Sequence, residues 1–75
     1  MRLRRDINIE KFLEKAEKCE GDVRFCTERG DVLNLKSVLS QYVFAVAARE
    51  EGYIQTGRLE FGRESDVKLL REFME

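Results

Sequence analysis

The sequence predicts an α+β domain: a two-layer, open-faced sandwich with an antiparallel-rich four-stranded sheet covered on one face by three helices. Three observations predict it. Segments of alternating apolar and polar residues (2–7, 23–26, 32–35 and 57–62) interleave with segments of helical apolar spacing, in the order strand, helix, strand, strand, helix, strand, helix. Five glycines stand near the junctions and no proline occurs, so glycine marks the breaks. The 75 residues contain no linker, repeat or low-complexity stretch, which makes residues 1–75 one domain. That length lies near the lower limit for a self-sufficient core.

Each element has its own signal. Leu3 and Ile7 alternate with Arg2, Arg4 and Asp6 in the first strand, although Arg5 falls on the apolar side. Asn8 occupies a helix N-cap position, and Ile9, Phe12, Leu13, Ala16 and Cys19 form one apolar stripe behind it, with Gly21 as the expected stop. Val23 and Phe25 alternate with Arg24 and Cys26. After Thr27-Glu28-Arg29-Gly30-Asp31, Leu33 and Leu35 alternate again, so the two strands read as a hairpin. A second helix begins at about Ser37. Its inward stripe reads as Val38 or Leu39, then Tyr42, Val43, Val46 and Ala47, with Phe44 and Ala45 off the stripe and the helix apolar over a wide arc. Residues 53–56 read as loop or strand, and 57–62 as a strand bounded by glycines. Ser65 is placed to cap a last helix that buries Val67, Leu70, Phe73 and Met74. Arg2, Arg4, Arg24 and Cys26 fall on the open sheet face. A ferredoxin-like domain is the alternative architecture, because its order lacks only the final helix.

Composition removes several functions. No histidine is present, so no phosphoryl group or proton can ride on an imidazole, and Ser-His or Cys-His catalysis has no base. Glu10, Glu14 and Glu17 are spaced along a polar helix face, and no glycine-rich phosphate cradle occurs, so the chain reads as a non-enzyme without a cofactor. Cys19 and Cys26 lack metal-ligand spacing, and reduced thiols are expected of them. Fourteen basic residues against fifteen acidic ones leave no excess for counterion release, which argues against nucleic acid. No apolar run reaches the roughly 20 residues that span a bilayer. With no signal-peptide core after Met1-Arg2-Leu3-Arg4-Arg5-Asp6, a cytoplasmic location is expected.

The element order, with Gly30-Asp31-Val32-Leu33-Asn34-Leu35-Lys36-Ser37-Val38-Leu39, resembles the histidine-containing phosphocarrier family of the bacterial sugar phosphotransferase system, HPr. The pattern is a glycine turn, an alternating strand, and Asn-Leu-Lys-Ser followed by two apolar residues. It covers residues 7–48 and is looser beyond them. The resemblance implies the open-faced sandwich, a regulatory phosphorylation site at Ser37, and a partner-docking helix face that includes Lys36, Val38 and Leu39. Three departures stand beside it. The family's histidine, with its arginine and proline, is replaced by the short link Asp6-Ile7-Asn8-Ile9. Ser40 stands where the family usually has glycine, and the segment after the second helix is longer. What the resemblance implies is therefore a regulatory or accessory protein-binding module that cannot carry phosphohistidine. The rival is an unrelated ferredoxin-like domain binding a small ligand or a protein.

The candidate residues have plainer alternatives. Ser37 at an N-cap contributes ~1 kcal/mol by accepting from a backbone amide, with no modification needed. Val38 and Leu39 suit either a patch or the core, whereas Tyr42 and Val43 read as core. Asp6 as a phosphate acceptor would need a metal and further carboxylates, and reads instead as a helix-dipole partner. Arg2, Arg4 and Arg5 read as charges that keep an edge strand from pairing with another sheet. Cys26 reads as a small structural residue. The short link before the first helix leaves strand exchange into a homodimer open.

Overall fold

Alternation and helical spacing translate into six main elements: α1 (Ile9–Glu17), β1 (Val23–Thr27), β2 (Val32–Asn34), α2 (Val38–Ala47), β3 (Gly57–Phe61) and α3 (Val67–Leu70). The structure, a computed structural model, describes residues 1–75. β1 is the central strand of a three-stranded antiparallel sheet of order β2-β1-β3. Phe25 lies opposite Leu33 on one side and Leu59 on the other. Gly30, at φ 93°, turns the β1–β2 hairpin in a conformation that other residues rarely adopt.

The fourth strand is not formed. Residues 2–7 contribute one isolated bridge, Leu3 to Met74, and then turn at Arg5 and Asp6. Their backbone bonds are split between two neighbours: Arg4 N–H donates to Phe73 O and Glu75 N–H to Arg2 O, while Met1 O accepts from Leu59 N–H on β3. A ladder needs a register pinned by several inward side chains. Here only Leu3 is fully buried, Ile7 is half-buried, and Arg2, Arg4 and Arg5 are exposed. The fold is thus a small α+β domain with three strands.

The three helices cover the sheet face that carries Val23, Phe25 and Leu59. Aromatic rings join the layers: Phe73 meets Phe12 at 5.5 Å, Phe12 meets Phe44 at 5.7 Å, Phe44 meets Phe25 at 5.1 Å, and Phe25 meets Tyr53 at 5.7 Å. Phe44 is the hub, so α2 is anchored by the residue that periodicity places off its inward stripe. β3 approaches this cluster closely at Gly57, where a Cβ would lie 2.6 Å from both Cys26 O and the Phe25 ring.

α1 follows its pattern. Asn8 is extended and its Oδ1 accepts from Lys11 N–H at 3.1 Å, while Phe12, Ala16 and Cys19 are buried. The helix already ends at Glu17, before Gly21. Residues 54–56 form a 3-10 turn, neither loop nor strand. The last helix is broken into 3-10 turns at Glu64–Asp66 and Arg71–Phe73 around the single turn of α3. Ser65 therefore lies inside a turn instead of capping, although Leu70, Phe73 and Met74 are buried as expected.

Candidate functional site

The strand-to-helix junction at Asn34–Val38 is built by the asparagine. Its Oδ1 accepts from Lys36 N–H at 3.0 Å and its carbonyl from Ser37 N–H at 3.0 Å, closing a turn at the end of β2. Leu35 is fully buried and its N–H donates to Val23 O at 2.7 Å, which fixes the junction against β1. Ser37 is then extended (φ −92°, ψ 129°), as an N-cap should be.

Ser37 makes no side-chain cap bond, and the first turn of α2 carries no acidic residue. The expected cap contribution is missing. Its hydroxyl is uncommitted, beside first-turn amides that no side chain satisfies. The positive end of the α2 dipole is likewise uncompensated.

Lys36 is occupied. Its Nζ donates to Glu17 O at 3.1 Å and also to Cys19 O, so it closes the C-terminal end of α1. Gln41 faces inward as well, donating to Leu35 O at 2.8 Å and to Glu17 Oε1 at 3.2 Å.

The outer face of α2 is apolar. Val38 is 77% exposed, Leu39 73%, Tyr42 69%, Val46 50% and Val43 43%. At spacings of three and four these form one stripe down the helix. Tyr42 and Val43 are therefore not core residues, and Val38 and Leu39 belong to the patch. The cause is steric and polar together. Once Phe44 enters the aromatic cluster and Gln41 reaches Leu35, helix geometry turns residues 38, 42 and 46 away from the sheet. Contiguous apolar patches above a few hundred Å² are rare on soluble monomers and mark interaction surfaces.

Other reactive groups are structurally committed. Both cysteines are buried free thiols. Burial pushes the Cys19 thiol up, with Asp66 adding; burial and then Glu60 do the same for Cys26. Asp6 is exposed in its turn, 3.9 Å from Arg4 Nε. Arg2 donates to Gln55 O at 2.8 Å. No group of three or more Cys, Asp or Glu side chains is arranged to hold a metal ion.

Sequence patterning missed Asp66. It is buried, and its carboxylate accepts from Gly21 N–H at 2.8 Å and Glu20 N–H at 3.1 Å. The Gly21 amide foremost, then Glu20, Arg63 and Lys36, hold its pKa below the usual carboxylate value against an opposing burial effect. The bond spans most of the chain, so no local spacing announces it.

No helix is long and apolar enough to cross a membrane. Comparison with protein-family models, curated proteins and solved structures found no match.

Proposed function

We propose that the chain is a non-catalytic, HPr-like regulatory or accessory module that binds another protein through the outer face of α2, gated by phosphorylation at Ser37. The observation that carries this reading is the stripe of Val38, Leu39, Tyr42, Val43 and Val46, left open on a helix that buries only Phe44 completely. A small domain gains by burying such side chains, each worth roughly 1.5–3 kcal/mol when covered, and a partner is the available cover. The likeness of Asn34–Leu39 to the family's segment supports the family part of the reading.

Gating follows from the junction. A phosphate on Ser37 gains bonds from the free amides of the first turn and sits at the positive end of the helix. It also places about two negative charges next to Val38 and Leu39, where an apolar partner surface would have to approach. Lys36 Nζ, one residue away, would be drawn from the carbonyls of Glu17 and Cys19 toward it. With no histidine in the chain, phosphocarrier activity has no place in this function.

The test is incubation with a serine-specific HPr kinase and ATP, read by intact mass. One added phosphate that disappears in Ser37→Ala supports the reading, and an unmodified chain counts against the gate. Phosphoenolpyruvate with the first enzyme of the phosphotransferase system should leave no acid-labile label.

A further inference from the structure

The apolar face of α2 does not end in neutral surface. Val46, its last exposed member, also lines a cleft of about 540 Å³ between the β1–β2 turn and the C-terminal end of α2. Glu28 and Asp31 stand on the turn side of this cleft, Glu50 and Glu51 on the helix side, and Arg29 is the one cation in the wall. The five ion pairs of the molecule all lie elsewhere, so these four carboxylates are without ionic partners. Arg5 and Arg49 line a separate, smaller hollow that shares Glu50 and Glu51.

The cleft lies at the C-terminal end of α2. α2 has no basic residue in its last turn, and Arg49, Glu50 and Glu51 follow the negative end of its dipole. A cationic side chain entering the cleft meets four carboxylates that no ion pair of the molecule engages.

We propose that the occupant of this surface is an amphipathic helix of another protein with basic residues at its end: its apolar side chains cover the α2 stripe and a lysine or arginine enters the carboxylate cleft. This rests on the reading of the α2 face as a docking surface and adds the charge that selects the partner. A second copy of the chain is a poorer match. Antiparallel pairing of two α2 helices would bring Lys36 over the cleft, and that ammonium is already bound to Glu17 and Cys19 carbonyls.

The experiment titrates the whole chain with two synthetic helical peptides, both with leucines at i, i+4 and i+7. One is flanked by lysines at each end and the other by glutamates. The lysine peptide should bind more tightly by on the order of 10-fold at low salt, and high salt should narrow the gap. The double variant Glu50→Gln/Glu51→Gln, altered only at exposed positions, should close most of it while keeping the wild-type melting curve. Equal binding of the two peptides overturns the charge selection and leaves the docking face standing. Failure of both to bind overturns the inference and the docking face alike. A dimer in sedimentation that Tyr42→Glu dissociates would make the occupant a second copy and overturn the inference alone.

Discussion

α1 and α2 are helices of similar length that meet the same core, yet they obey opposite rules. α1 buries its apolar stripe at Phe12 and Ala16, with Cys19 buried just beyond its end, and surrounds it with Lys and Glu. α2 is apolar nearly all round. It buries Phe44, turns Gln41 inward with its hydrogen bonds satisfied, and leaves one leucine, one tyrosine and three valines in water. Both ends differ in the same sense: α1 is capped by Asn8 and closed by Lys36, whereas Ser37 caps nothing. α1 is built for stability. α2 gives up some of it, and the loss is concentrated on one surface.

The sharpest way to break this contrast is to truncate the two faces of α2. Phe44→Ala should cost about 3–5 kcal/mol, because it empties the centre of the aromatic cluster. Tyr42→Ala, two residues away and mostly exposed, should stay within about 0.5 kcal/mol. Urea denaturation of the pair reads both, and similar losses would mean that the helix is rotated from the orientation described. Next in size is Gly57→Ala, about 1–3 kcal/mol, since the added methyl meets Cys26 O and Phe25 where neither can retreat freely.

The helix ends give smaller effects of opposite kind. Asn8→Ala should cost ~1 kcal/mol, while Ser37→Ala should cost almost nothing because no cap bond is lost. Thermal melts of the two variants compare the caps directly, and a costly Ser37→Ala would restore the ordinary capping role. A separate effect is on pH dependence. Asp66 has a depressed folded pKa, so its contribution is fully present above the usual carboxylate value and fades as pH falls through the folded one. Asp66→Asn should lower stability at neutral pH and flatten the acid limb of the stability profile, seen by chemical denaturation across that range.

The contrast also explains what the sequence could and could not disclose. α1, the β1–β2 hairpin and β3 were legible because each has one apolar and one polar side, so a single register satisfies the pattern. α2 was legible as a helix but not in its orientation. With valine, leucine and tyrosine on one side and phenylalanine and alanine on the other, periodicity favours the more numerous face, and packing of the single large ring reverses it. The N-terminal strand failed for a related reason: Leu3 alone could not fix a register, and Met74 at the far end of the chain took its place as partner. The Ser37 junction was visible as a motif, whereas its lack of a cap bond, the engagement of Lys36 and the cleft acids beside Val46 depend on contacts distant in sequence.

Methyl NMR with a soluble paramagnetic chelate tests the orientation of α2 most directly. Strong broadening is expected for the methyl groups of Val38, Leu39 and Val46, and weak broadening for those of Leu35, Leu59 and Leu70. Protected methyls along residues 38–46, level with the buried leucines, would contradict an open docking face and remove the surface on which the proposed partner sits.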